Sequence, residues 1–400
     1  MNVQSSIAML TPEEAATRLG HGPVSARPYF DPAWWDLERK AIWLRTWLHI
    51  GHVCEIPEPG SFIRREVDFA RASLLIMRGK DGVVRSFHNA CTHRGTQLTE
   101  ERCGRKAAIS CPYHMWSFGS DGRLLSAPDF ERFHVSKDDV ALKQVKTEVL
   151  AGMIFINFDP EPEQSVREFF GPIADELETL PIAHAVEFTE WSYEIPANWK
   201  TNLDNYQENY HLRFIHPAAC DQAAGPENPF GYPTHYGFSG PHRSQKLWRH
   251  PNPPAPTAIL MQGFGLAAGV AAKAGLSFAK TDFKLFPALH VVSLPPAQQF
   301  THTHYPLAAD RTRGVIRLYW TKRADSASEL FFREVAAVSL RDLLTEDRMA
   351  VESAQRGLNC GAIDRINLQD HEILLRHLHE EVTSRVEAYV AECEATGALA

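Results

Sequence analysis

Long apolar runs are missing from this chain. Nothing approaches the roughly 18 to 20 consecutive apolar residues of a membrane helix. Met1 to Leu10 lacks the basic start and apolar core of a signal peptide. Cysteine is scarce: Cys54, Cys91, Cys103, Cys111, Cys220, Cys360 and Cys393 are spread unevenly through the chain. A secreted disulfide framework is denser and has an even count, so a reducing cytoplasm is the expected setting. Excess positive charge is missing too. Lys and Arg total 41 against 49 Asp and Glu, a formal net charge of −8. That argues against a general binder of nucleic acid or of an anionic membrane. No internal repeat and no low-complexity segment is present. What remains is an ordinary globular composition, 44% hydrophobic and 22% charged, over 400 residues. That length suits two or three domains with well-filled cores.

The chain reads in three parts. Residues 1–47 form an arm and a helix. Residues 1–28 carry Pro, Gly and Ser with little periodicity, then Asp31-Pro32 supplies a capping carboxylate and a proline suited to the first helical position. Trp34, Trp35, Leu37, Ala41, Ile42, Trp43 and Trp47 follow at helical spacing and read as packing rather than as a ligand box. Residues 48–159 have the texture of a small all-β domain, with hairpin turns at Lys80-Asp81-Gly82 and Ser120-Asp121-Gly122. Residues 160–400 mix types. Their pattern predicts helices over 166–180 and 200–212, a long loop over 225–256, four strands between 281 and 321, and closing helices over 328–357 and 368–394. Strands followed by long helices imply an α+β domain with helices packed on one antiparallel sheet.

Chemistry first concentrates at Cys91-Thr92-His93-Arg94-Gly95, answered by Cys111-Pro112-Tyr113-His114-Met115-Trp116. Each half offers one thiolate and one imidazole. A structural zinc accepts two Cys and two His but usually groups like ligands together. One of each per half suits a two-iron, two-sulfide cluster in which thiolates hold one iron and imidazoles the other. Cys103, between the halves, sits among Arg102, Gly104 and Arg105, which read as a turn, and is taken as a bystander.

A second constellation lies in Asn198 to Pro217. His211 and His216 are five apart, about 140° around an ideal helix, so they reach one metal only where the helix ends or bulges. Pro217 fits a chain leaving helix. Taken alone, the pair reads equally well as ordinary surface or core histidines. In the 328–357 helix, Leu340, Leu343, Leu344, Val351, Ala354 and Leu358 form an apolar stripe with Asp347 in its middle, while Asp342, Glu346 and Arg348 project elsewhere. A carboxylate aimed at a core is costly unless it is paired with a cation or binds a metal. Two His and one carboxylate form the facial triad of non-haem iron(II) oxygenases, with open positions for oxygen.

Cys91-x-His93-Arg94-Gly95 with Cys111-Pro112-x-His114-x-Trp116 resembles the cluster motif of Rieske non-haem iron oxygenases, specifically the large (alpha) subunits of ring-hydroxylating members. The resemblance runs from Trp34 to about Tyr389 and is weak between Cys220 and Ala279. It implies a [2Fe-2S] Rieske cluster on Cys91, His93, Cys111 and His114, and a mononuclear Fe(II) on His211, His216 and Asp347. Glu208 matches the acidic position that bridges the iron to a neighbouring subunit's cluster, and Asn205 a polar residue near the iron. The implied fold is a Rieske domain over 48–159 ahead of a helix-grip catalytic domain over 160–400, with 1–47 packed on the latter. The implied activity is that of a terminal oxygenase, a mono- or dioxygenase. It takes O2 and electrons from NAD(P)H through a ferredoxin or flavin-containing reductase, and works as a homotrimer with or without a small beta subunit. An aromatic substrate is expected. Oxidative N- or O-demethylation of a small substrate such as a quaternary amine is the alternative, because many ring-hydroxylating members carry Asp where this chain has Glu208, and Glu is familiar in members that demethylate quaternary amines. A Rieske electron carrier without oxygenase activity is the reading from another class. Phe264, Leu266, Phe278 and Phe286 are expected to meet an apolar body, and His235, His242, Arg243 and Lys246 a carboxylate.

Overall fold

A computed structural model describes residues 7–217, 224–248, 281–294 and 298–397. Two compact units emerge, one of Trp43–Phe169 and one built from Met1–Ile42 together with Phe170–Ala400. These boundaries differ from the expected 47/48 and 159/160, because the flanks are tied into the β unit. Trp43 packs its ring on Phe69, the Trp47 indole donates to the carbonyl of Gln164, and the Val166 amide donates to Glu148.

The β unit has a seven-stranded sheet and a three-stranded sheet. The apolar run Met153–Asn157 is a central strand, paired on both sides and buried at every residue. Cys103–Arg105 is a short strand beside Ser61–Val67 rather than a turn, and Cys103 is exposed. The core of the unit gathers Phe62, Leu75, Phe87, Ile109, Trp116 and Phe118 directly around Cys91 and Cys111.

The second unit is organised on an eight-stranded antiparallel sheet. Its strands are β1 (Met9–Leu10), β2 (Glu187–Ile195), β3 (His235–Ser239), β4 (His242–Lys246), β5 (Thr281–Leu285), β6 (Leu289–Leu294), β7 (Gln298–Ala308) and β8 (Arg311–Trp320). Their spatial order is β1-β3-β4-β5-β6-β7-β8-β2. The expected loop over 225–256 is thus partly a hairpin, β3 and β4, closed at Gly240 with its positive φ of 52°. Alternation was masked there because His242 to Gln245 are buried on both faces.

Among the described residues, the helices that accompany the sheet include α1 (Pro12–Leu19), α2 (Pro32–Glu38), α3 (Trp199–Asp204), α4 (Leu212–Ile215), α5 (Ala327–Asn359) and α6 (Ile373–Thr396). The single helix expected over 200–212 is instead α3, a turn, and α4. Asn198 caps α3 by accepting from the Lys200 amide, and Asn205 terminates it. The helix expected over 166–180 breaks at Gly171, which has φ 55°, into Val166–Phe170 and Ile173–Thr179. In α5 the buried face runs through Ala336, Ala337, Leu340, Asp347, Val351 and Gln355, while Ala354 is exposed. Ala336, Ala337 and Leu340 pack on Val292, Phe300, Ile316 and Leu318 of the sheet. Among the described residues no helix is long and apolar enough to cross a membrane.

Candidate metal centres and their surroundings

In the β unit the two half-sites are built alike. The amide of Gly95 donates to the Cys91 carbonyl at 2.8 Å and that of Met115 to the Cys111 carbonyl at 3.0 Å. Each cysteine amide is then bound by the residue closing its turn: Cys91 to Thr96, Cys111 to Trp116. Closure requires a left-handed residue. Gly95 takes φ 77° freely, whereas Met115 adopts φ 61° despite its side chain. The result sets Cys91 and Cys111 side by side, both buried and both free thiols, close enough to interact. Burial holds the Cys91 thiol above its ordinary pKa. His93 and His114 face one another with ring centroids 4.6 Å apart, and the His93 ring stacks on Trp116. His93 Nδ1 is buried without a hydrogen-bond partner among the described residues, and burial lowers the pKa of the ring. Two unbonded thiols, two facing imidazoles and an orphaned ring nitrogen are what a cluster held by mixed ligands needs.

In the other unit, His211, His216 and Asp347 converge, with one ligand atom of each within 4.8 Å of the others. Asp347 Oδ1 lies 2.6 Å from His216 Nε2 and 3.6 Å from His211 Nε2. The geometry follows from the break between α3 and α4: His211 precedes α4 and His216 ends it. Each imidazole is backed by a carboxylate on its other nitrogen. His211 Nδ1 bonds Glu208, and His216 Nδ1 bonds Glu346 at 2.7 Å. Such backing fixes the tautomer with Nε2 free for a metal, and is a recurring feature of His metal sites. Glu208 also accepts from the amides of Tyr210 and His211, so a tight turn holds it, not the single helix expected over 200–212. Burial opposes protonation of His216, but Asp347 and then Glu346 outweigh it and its pKa is raised. The donor set therefore fits a divalent iron.

Glu346 was expected to project elsewhere. Half-exposed, it still reaches His216 across 130 residues of chain. Asn205 is not bonded to the triad; it closes α3, and its Nδ2 is buried with no partner among the described residues. Three further residues escaped the sequence pattern. The Tyr206 phenol lies beside Asp347 and Tyr193, and its pKa is raised by burial first and then by those neighbours. Gln355, two turns beyond Asp347 on the buried face of α5, accepts from the Asn198 amide and the Thr201 hydroxyl, both at 2.8 Å. Glu38 of α2, fully buried, grips Lys200 Nζ at 2.6 Å and the Trp199 indole at 2.9 Å. Only its spacing from Trp34, which also donates to it, hinted at this.

The inner face of the sheet below this site is polar. Tyr193 bonds His302 Nε2 at 2.8 Å, and Asn202 bonds His304 Nδ1 at 2.8 Å. Tyr193 finds room because Gly314 lies opposite it, where a Cβ would meet the ring at 2.3 Å. Of the cations expected to meet a carboxylate, His242 is a core residue that accepts from the Phe286 amide. His235 bonds Thr234, and Lys246 is exposed. Arg243 is buried. Phe286 is buried under Arg385, whereas Phe264, Leu266 and Phe278 fall outside the described residues.

Comparison with known proteins follows the same division. Residues 46–146 match the Rieske [2Fe-2S] domain, and residues 182–388, just over half the chain, match the catalytic domain of ring-hydroxylating alpha subunits. The chain belongs to the Rieske oxygenases of the ring-hydroxylating alpha-subunit family. Membership brings with it a Rieske cluster and a mononuclear iron. The oxygenase is 30% identical over 332 residues to the carnitine monooxygenase oxygenase subunit of Acinetobacter baumannii, covering 80% of this chain and 81% of that one. It is 34% identical over 212 residues to the corresponding Escherichia coli K12 subunit. That match spans 52% of this chain and about half (54%) of the relative. In fold, the oxygenase is similar to a quaternary ammonium Rieske monooxygenase crystallised with an inhibitor. The TM-score is 0.74 at 24% identity, over 95% of this chain and 100% of that one.

Proposed function

We propose that this oxygenase oxidises a quaternary ammonium compound, cleaving a carbon–nitrogen bond, as the terminal component of a system fed by a reductase. The expected aromatic substrate gives way to its alternative. What supports this is the relative matched along four-fifths of both chains, which is named for carnitine. Glu208, bonded to His211, is the acidic residue the sequence associates with that alternative. In this reading Cys91, His93, Cys111 and His114 hold the cluster, and His211, His216 and Asp347 hold the iron.

The bound iron supplies the activation of O2, drawing electrons delivered singly by the cluster. The protein's own groups do the rest. Glu208 and Glu346 keep His211 and His216 in the ligating tautomer, and Glu208 is the proposed bridge for the electron. Tyr206 and Tyr193 put phenol hydroxyls beside Asp347 in a buried setting. One substrate C–H bond next to nitrogen becomes C–OH, while O2, two electrons and two protons leave one oxygen as water. The product with oxygen and nitrogen on one carbon then collapses to an aldehyde and a tertiary amine. Functional partners are a reductase and, by family habit, further copies of the chain.

The test is turnover by metal-loaded enzyme with an NADH-dependent reductase, comparing carnitine with naphthalene. Oxygen uptake matched by aldehyde and tertiary amine, read by mass spectrometry, is expected with carnitine. A diol from naphthalene, with no aldehyde from carnitine, would overturn the reading.

A further inference from the structure

Across the inner face of the sheet, Arg243, Lys284, His290 and His302 stand directly opposite one another on β4, β5, β6 and β7. Directly paired residues share a face, and this is the face on which α5 packs through Val292, Phe300 and Leu318. Three strand spacings carry the row about 14 Å. Its far end, His302, packs on Tyr206, which lies beside Asp347. The row thus leads from beneath the iron ligands to Arg243.

Arg243 is fully buried, and its Nε and Nη2 have no hydrogen-bond partner among the described residues. Nη1 has only a long contact, 3.4 Å, to the Pro241 carbonyl. Burial pulls its pKa down to about 10, so it stays charged at neutral pH; Asp204 and Glu381 act on it through space. Asp204 is a poor counter-ion. It is engaged by Tyr29 and Gln207, and burial lifts its own pKa to about 7. Lys284, pulled to about 8 by burial, shares Asp282 with His290. Asp282, beside the row and opposite Gln245 and Val292, is therefore already matched.

A buried cation whose Nε and Nη2 meet no hydrogen-bond partner among the described residues is costly, and an orphaned polar group in a native interior calls for a ligand or water. Neutral orphans along the row, His290 Nδ1 and His302 Nδ1, need no more than a water each. Water neutralises no guanidinium. The two open donors of Arg243 form the fork that a planar acid group fills with paired hydrogen bonds.

We propose that Arg243 anchors an anionic group of the substrate, a carboxylate or sulfonate, so that the opposite end of the molecule lies at His211, His216 and Asp347. This deepens the proposed function and rests on it for the reacting end alone. The oxygenase would accept amphiphilic acids in which acid group and reacting carbon are separated by several bonds, and reject their uncharged esters.

The test uses metal-loaded enzyme and matched pairs: carnitine and its methyl ester, and an aromatic acid, 4-aminobenzoate, and its methyl ester. Binding is followed by calorimetry and by melting temperature. Wild-type enzyme is expected to prefer at least one acid over its ester by about 10- to 100-fold, the scale of charge-assisted hydrogen bonds. In Arg243→Met, acid and ester should come within about threefold of each other. Its ligand-free melting temperature should rise, since an unpaired buried charge is gone. Arg243→Lys should retain part of the preference, and serves if the Met variant fails to fold. Equal binding of acids and esters by wild type, binding of none of the four, or a preference that survives in Arg243→Met overturns the anchor. A preference confined to the aromatic pair supports the anchor and overturns the amine reading.

Discussion

The two ligand sets are made by opposite strategies. In the β unit every candidate cluster ligand comes from two short loops of the same construction, Cys91 to Gly95 and Cys111 to Met115, each closed by its own backbone hydrogen bonds. In the catalytic unit the ligands come from the two ends of α4 and from α5, and the bond from His216 to Asp347 spans 131 residues. Local turns shape the first site; packing of α5 against the sheet and the α3–α4 segment shapes the second. The difference teaches where each site is vulnerable. The cluster site depends on its loops, and the iron site on everything that keeps α3 and α5 in register, Gln355 and Glu38 included.

The sharpest way to break the comparison is to remove one centre and look at the other. Asp347→Ala should abolish turnover, by about 10³-fold or more on the scale of lost catalytic metal chemistry. It should lower mononuclear iron, yet leave the cluster's visible spectrum intact. Cys111→Ser should do the reverse, with spectrum lost and iron retained by metal analysis. Loss of both metals in either variant would mean that the two sites are not independent. Next in size, Glu208→Ala should keep both metals but slow reoxidation of the reduced cluster in a single turnover. Rapid reoxidation would refute its bridging role. The smallest effect belongs to Glu346→Ala, which removes only the backing of His216. Iron affinity should fall about 10- to 100-fold, as for other outer carboxylates on ligating histidines, with the cluster spectrum unchanged. An unaltered affinity would make that bond incidental.

Legibility in the sequence divides along the same line. The cluster half-sites were readable because all four ligands sit in one short stretch whose spacing is set by two turns. Asp347 was readable because a carboxylate on an apolar stripe stands out. Glu346 was not, since its reach to His216 depends on where α4 ends. The β3–β4 hairpin was hidden because Arg243, Ser244 and Gln245 are polar yet buried, which reverses the alternation expected of a half-exposed strand. The single helix expected over 200–212 failed at Asn205, whose amide turns back to the Leu203 carbonyl and ends the helix. Arg243 was legible as a cation that could meet a carboxylate. That its Nε and Nη2 meet no partner among the described residues is a property of the folded sheet.

The grip of Glu38 on Lys200 and Trp199 has a bearing on how the chain is made. The catalytic unit is interrupted in sequence by the whole β unit, so during synthesis α2 emerges long before its partners. Glu38 waits 162 residues for Lys200, and the Tyr29 carbonyl 326 residues for Gln355. Until then the tryptophans of α2 have no catalytic core to join. Anyone exchanging catalytic halves between relatives must therefore transplant two pieces, residues 27–42 along with the later segment. A cut made only after the β unit would leave Lys200 as a buried ammonium facing a foreign arm.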